Sequence, residues 1–371
     1  MRSPDDIEHA HRTDGLMKIS LSTLLLASCL FGIAVALFIF FFQILPVEGS
    51  SLGIDWRGIW LGLQGGLPSY GTGLRNPPWS LIPLLPLGLL PFKSSWALLT
   101  LATISTEVIS IPRKLSKRVD WLMTIFLVTS YPSLRNIADG NLEILTIAGV
   151  LLTLFAYRTR QPWLLASGFL LASGKPQETW LLLAMISLFV LRTWPRERIL
   201  PAAVVIAVIV TITMMLFGRD WITALIGIEQ RGSIMDMSLL STLARLRFPS
   251  SVIWGIWISI LCTTLYIAFS KGYLVDHRKA GLLISASLLL SPYAAGNNLL
   301  AIVAIGVVPL FRSDIKSAVA LGILINLPYL ALTNSSIRFS YGAYYATVVL
   351  LITWCVFVWK TRGIEENALA A

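Results

Sequence analysis

Residues 55–79 read DWRGIWLGLQGGLPSYGTGLRNPPW. They lie between two long apolar runs. They hold one aspartate, two arginines, a series of glycines, several aromatics and the Pro77-Pro78 pair. A connector between two membrane spans needs only a handful of polar residues. A connector this long and this aromatic is the kind that carries function.

The flanking runs set the fold class. The chain has 371 residues, of which 56% are hydrophobic and 13% charged. A soluble domain carries about 25% charged residues, so this is a polytopic membrane protein. A span needs about 20 apolar residues, which leaves room for about twelve helices with short loops. The expected spans are 18–45, 94–112, 120–133, 142–157, 162–174, 177–191, 199–217, 251–269, 280–294, 297–311, 317–333 and 341–359. The predicted fold is an all-α transmembrane bundle over 18–360, between tails 1–17 and 361–371. Leu81 to Pro91 contains Pro83, Pro86 and Pro91 and reads as a broken or re-entrant segment.

Charge bias gives the orientation. Arg2, Arg12 and Lys18 precede the first run, and every second connection then turns basic: Arg113, Lys114, Lys117 and Arg118; Arg158 and Arg160; Arg192, Arg196 and Arg198; Lys271, Arg278 and Lys279; Arg312 and Lys316; Lys360 and Arg362. Both termini are predicted cytoplasmic in a multi-pass protein of the cell membrane. The net charge of +10 is thus largely topogenic, and nucleic acid is not an expected partner. Cys29, Cys262 and Cys355 fall singly in predicted helices and read as packed or lipid-facing thiols.

The remaining cations fall on the opposite, outer face, where the positive-inside rule disfavours them. They include Arg57, Arg75, Arg135, Lys175, Arg231, Arg245 and Arg247. Two readings stand: they serve an anionic phosphate, or they are solvated loop charges and lipid-headgroup contacts. Two outer connections are long, 46–93 and 218–250, and the second has apolar residues at helical spacing that predict an interfacial helix. Three short polar insertions point the same way: RNIADGNLEIL with Arg135, Asn141 and Glu143, SGKPQETW with Lys175 and Gln177, and SPYAAGNNLL with Tyr293, Asn297 and Asn298. Polar groups at membrane depth are costly unless they line a cavity or find partners. One shared polar cavity near the outer surface accounts for all three. Singly, each is also readable as a helix cap, with Asp139 or Asn141 capping and Pro176 in a first turn, and Lys175 as a snorkelling side chain.

These pieces resemble glycosyltransferase family 87, among the GT-C membrane glycosyltransferases. The matching pieces are Asp55-Trp56, Tyr70 through Asn76-Pro77-Pro78-Trp79, Gly140-Asn141, Lys175-Pro176-Gln177 and Ser291-Pro292-Tyr293. The helix-opening pair is Gly-Asn where relatives more commonly have Gly-Gln, and no aromatic immediately precedes the Pro-Pro. The resemblance implies transfer of a hexose or pentose, mannose-like above others, from a polyprenyl-phosphate sugar donor to a glycan or glycolipid acceptor hydroxyl at the extracytoplasmic face. It also implies that Asp55 is the base.

That chemistry needs a base for the acceptor hydroxyl, cations for the leaving phosphate and a groove for the lipid. Asp55 suits the first; its other reading is an exposed loop acid or a cap. Lys175, then Arg75 and Arg135, are expected at the phosphate. Asn141, Gln177 and Asn298 are expected to hydrogen-bond sugar hydroxyls. Tyr70, Trp79 and Tyr293 fit either a sugar ring or the membrane interface. The outer acids Asp139, Glu143, Asp220, Glu229 and Asp236 show no metal-ligand spacing, and no metal or other cofactor is expected. A polytopic transporter or lipid-linked-sugar flippase is the alternative. It predicts broken helices with midplane sites, whereas the polar insertions here cluster at one face.

Overall fold

The computed structural model describes residues 21–45, 52–70, 74–111, 117–226, 236–329 and 335–362. Among the described residues every regular element is helical, in keeping with the all-α expectation. The chain divides into two compact units, 1–45 and 46–371. In the first, α1 (Leu21–Ile44) has no charged residue in its 24-residue sequence, and Phe31, Ile33, Phe40 and Ile44 are exposed.

The second unit begins with α2 (Ile54–Leu63) and a broken stretch: α3 (Pro78–Leu81), one 3-10 turn (Ile82–Leu84) and α4 (Leu85–Gly88). Prolines in the first turns of these pieces prevent a continuous span. There follow α5 (Phe92–Ser110), α6 (Lys117–Thr129), α7 (Tyr131–Asp139), α8 (Glu143–Thr159), α9 (Pro162–Ala172), α10 (Pro176–Thr193) and α11 (Arg196–Ile226). Then come α12 (Leu239–Arg245), α13 (Ser250–Ser270), α14 (His277–Leu290), α15 (Leu299–Ser313, with a π turn at Val303–Val307), α16 (Ile315–Asn326) and α17 (Ser335–Arg362).

Helix α14 is the axis of this unit, buried at every position from Lys279 to Leu290. A helix that is apolar all round belongs in the middle, and α14 packs against α10, α13 and α17. Helices α8 and α9 form the closest hairpin. A Cβ on Gly149 would lie 2.2 Å from the Ala172 backbone nitrogen. Small residues of this kind let backbones approach where apolar burial alone gives little drive.

Three helical segments are long and apolar enough to cross a membrane: Arg196–Leu225, Ser250–Ser270 and Tyr344–Arg362. Leu200, Val204, Val208 and Ile212 form an exposed apolar stripe on the first. The apolar helices Phe31–Ile44, Pro162–Ala172, Leu299–Ser313 and Ile315–Tyr329 are shorter. One cause of the shortness is interruption. The 120–133 run ends at Thr129; Ser130 then caps α7, its side chain accepting from the Ser133 N–H (3.4 Å), with Pro132 in the first turn.

One expectation needs correction. Residues 218–226, read as the start of an outer loop, continue α11, with no proline or capping residue to stop the helix; Arg231 lies outside the described residues. Glu107, in α5, is fully buried. Ser133 Oγ lies 2.8 and 3.0 Å from its two carboxylate oxygens.

Candidate active site

Asp55 sits in the first turn of α2, where an acid complements the helix dipole. Two tryptophans one turn apart fix that helix. Trp56 Nε1 donates to Ser95 Oγ (3.0 Å) and Trp60 Nε1 to the Leu90 carbonyl (2.9 Å). Arg57 lies over the Phe92 ring, 5.3 Å from its centroid, a cation–π contact on the α5 side of the helix. The Gly53 N–H donates to the Ala138 carbonyl (2.7 Å), which brings the start of α2 to the end of α7.

Helix α7 ends in a Schellman motif. The Asn141 N–H reaches the Asn136 carbonyl (3.0 Å) and the Gly140 N–H the Ile137 carbonyl (3.3 Å). The motif needs a left-handed residue, and Gly140 supplies it with φ 69°. A Cβ at Gly140 would also meet Trp56 Cβ at 2.4 Å. Gly140→Ala is therefore expected to combine backbone strain with a collision beside Asp55, and to cost about 1–3 kcal/mol of stability. Gly65 has φ +89° with nothing within 4 Å of its virtual Cβ, so Gly65→Ala carries the strain alone. Thermal denaturation of the two variants should rank Gly140→Ala clearly the worse.

The motif delivers Asn141 onto Asp55. Asn141 Nδ2 donates to Asp55 Oδ2 (2.8 Å), while Asn141 Oδ1 accepts from Lys175 Nζ. Lys175 precedes Pro176, which occupies the first helical position of α10. Its ammonium also contacts Glu143 Oε1 (2.5 Å) and Glu178 Oε1 (3.5 Å). Asn298 Nδ2 donates to Glu143 Oε1 (3.0 Å) and to Glu178 Oε1, and Asn298 Oδ1 accepts from the Ala295 N–H (2.7 Å). Asp55, Glu143, Glu178 and Asn298 thus bring the N-terminal turns of α2, α8, α10 and α15 onto one polar chain. Glu143, Glu178, Lys175 and Asn298 are buried. Burial alone would push the Lys175 ammonium towards losing its proton, but Glu143 and Glu178 outweigh it, and its pKa is raised. One ammonium faces two glutamates here, and the N-termini of α8 and α10 add positive potential, each worth about half a positive charge.

The other expected residues divide. The charges acting on Tyr293 are those of Asp236, Arg75, Asp55 and Lys175, which gathers these groups into one region. Arg75 is exposed, and its carbonyl accepts from Trp221 Nε1 (2.9 Å). Arg135 is paired with Asp139 in its own helix (2.6 Å). The N-cap position of α8 is Leu142, which offers no side-chain cap. Tyr70 is buried, with its hydroxyl on the Asn76 carbonyl (3.1 Å). Trp79 Nε1 donates to Ser173 Oγ (2.9 Å), and the Trp79 ring packs edge-on against Trp221. Asn76 Nδ2 reaches the Gly174 carbonyl (3.0 Å). These contacts clamp the Pro-Pro segment to the turn that carries Lys175. Gln177 is half-buried beside it. Asn297 has no described side chain.

The model of glycosyltransferase family 87 matches residues 75–292, more than half of the chain. The chain belongs to glycosyltransferase family 87. No curated protein and no solved structure matches it. Family membership makes this a glycosyltransferase and gives no support to the transporter or flippase alternative, and the three long apolar segments associate it with a membrane. Arg75, Asn76, Gly140-Asn141, Glu143, Lys175 and Glu178 fall inside the family 87 match, whereas Asp55, Tyr70, Tyr293 and Asn298 lie outside it. The sequence had Glu143 in view as an outer acid without a site role, and Glu178 only as part of the SGKPQETW insertion. The signal that marks them is position: each stands in the first turn of an otherwise apolar helix.

Proposed function

We propose that this family 87 enzyme transfers a hexose or pentose, mannose-like above others, from a polyprenyl-phosphate sugar to a hydroxyl of a glycan or glycolipid. The bundle crosses the membrane about twelve times, with both termini cytoplasmic and the site at the extracytoplasmic face. The observation that carries this reading is the meeting of four helix N-termini on the chain that ends at Asp55. Such termini favour a negatively charged ligand, and a half-buried carboxylate beside them is placed to act as a base.

In the proposed step, Asp55 Oδ1 takes the proton of the acceptor hydroxyl. The hydroxyl oxygen forms a bond to the anomeric carbon as the bond from that carbon to the phosphate oxygen breaks. The electron pair leaves on the polyprenyl phosphate. Of the three cations expected at that phosphate, Arg75 is the most exposed, so it meets the leaving charge directly. Lys175 contributes from behind Asn141, and Arg135 is occupied by Asp139. Tyr293 borders the same region and is assigned to the sugar, together with Gln177. No metal or other cofactor enters the step; Lys and Arg suffice for a monophosphate leaving group.

The test is transfer in membranes containing the full chain, offered a panel of polyprenyl-phosphate sugars labelled in the sugar. Label should move from at least one donor into a glycan or glycolipid product. If label moves only from nucleotide sugars, the donor assignment is wrong.

A further inference from the structure

We infer that Glu143 is a positioning residue for Asp55, acting through the ammonium of Lys175 and the side-chain amide of Asn141. The inference rests on the reading of Asp55 as the base, and it assigns a task to a glutamate that touches no substrate.

The argument starts from donor and acceptor types. An amide side chain has one end of each kind, and which end faces where follows from its partners. An ammonium can only donate, so the end of Asn141 facing Lys175 is Oδ1. An ionised carboxylate can only accept, so the end facing Asp55 is Nδ2. Both assignments agree with the observed contacts. The amide therefore has a single orientation as long as Lys175 keeps its place. Lys175 has a long stem, and several contacts hold its tip. Glu143 Oε1 at 2.5 Å is the closest carboxylate to it, with Glu178 Oε1 farther at 3.5 Å.

Glu143 is itself fixed. It stands in the first turn of α8, fully buried, two residues after Asn141. Its Oε1 also accepts from Asn298 Nδ2, and the Asn298 amide is oriented in turn by the Ala295 N–H on its oxygen. Each link from Ala295 to Asp55 thus has one permitted donor direction. Without the Glu143 charge, Nζ is free to move towards Glu178. Asn141 Oδ1 then loses its donor, the amide can rotate, and Asp55 loses the hydrogen bond that sets its angle. Catalysis is sensitive to such displacements even when binding is not.

The experiment uses the full chain in detergent and in membranes, with Glu143→Gln, Lys175→Met, the double variant and Asp55→Asn. Glu143→Gln is expected to lower kcat at least tenfold while the KM for the lipid-linked sugar changes less than threefold. The double variant removes the Glu143 charge that Lys175→Met leaves unpaired, so its melting temperature should recover above that of Lys175→Met while its kcat stays low. A purely structural role predicts that kcat recovers together with stability, and that result overturns the inference. A second readout needs no turnover: labelling of the Asp55 carboxyl by a water-soluble carbodiimide and an amine, followed by mass spectrometry. It should run several-fold faster in Glu143→Gln than in wild type, because Asp55 has lost its hydrogen-bond partner. Unchanged labelling also overturns the inference. Altered labelling with no wild-type transfer from any donor sustains the positioning chain and rejects the transferase reading of Asp55.

Discussion

Asp55→Asn is expected to lower sugar transfer by at least a hundredfold, with the protein still folded and present at wild-type level. General-base catalysis contributes about 10²- to 10⁴-fold, and an amide cannot take the proton of the acceptor hydroxyl. The substitution is nearly isosteric, and its carbonyl oxygen still accepts from Asn141 Nδ2, the contact that Asp55 Oδ2 makes at 2.8 Å. Trp56 and Trp60 hold α2 independently of residue 55. The expected signature is therefore a fall in kcat with little change in melting temperature. Initial rates at matched protein level, with a saturating labelled donor, check it. Equal rates in wild type and variant would remove Asp55 from the mechanism and move attention to acids farther along the region, of which Asp236 is the one that also acts on Tyr293.

Lys175→Met should produce the largest loss of stability of any single change at the site, about 3–5 kcal/mol, because breaking a buried ion pair leaves uncompensated charge behind. Methionine fills most of the volume of the lysine stem, so a cavity contributes little. What disappears is the ammonium beside Glu143 and Glu178, both fully buried. Each glutamate already has one oxygen, Oε2, without a hydrogen-bond partner, so neither has spare donors to draw on. Thermal denaturation in detergent should show a drop several times larger than for Arg135→Met. The Arg135 pair is more than a third exposed on its basic side, and solvent screens it. Similar drops for the two variants would mean that the charge left on Glu143 and Glu178 is compensated elsewhere.

Much of this arrangement was legible before any coordinates. The all-helical class followed from composition. Asp55, Asn141, Lys175 and Asn298 were legible because short polar motifs interrupt apolar runs, and polar groups in such places must find one another. Their joining into one chain was not legible, since the contact between Asn141 and Asp55 spans 86 positions and that between Asn298 and Glu143 spans 155. Tyr70 and Trp79 were equally fit for a sugar or for the membrane interface, and the structure commits the polar atoms of both to internal hydrogen bonds. Lys175 looked like an open phosphate ligand because sequence shows the charge but not its enclosure. Glu143 was read only as an outer acid outside any metal-ligand spacing, for the same reason. The helix boundaries fell within two residues where a run ends in a charge, as near Arg192. They failed where a helix simply continues, as through residues 218–226.

The segment before α12 and the turn before α15 hold each other in both directions. The Met237 N–H donates to the Ala294 carbonyl (2.8 Å), and the Ala294 N–H donates to Asp236 Oδ1 (3.0 Å). Each amide must break its own bond to exchange its hydrogen with solvent, and because the two bonds join the same pair of segments they are expected to open as one unit. Asn298, four residues after Ala294, carries the first link of the chain to Asp55. Local unfolding of that unit would release Asn298 and, through Glu143 and Lys175, the alignment of Asp55, so the slow exchange of two backbone hydrogens becomes a measure of how long the polar chain stays assembled.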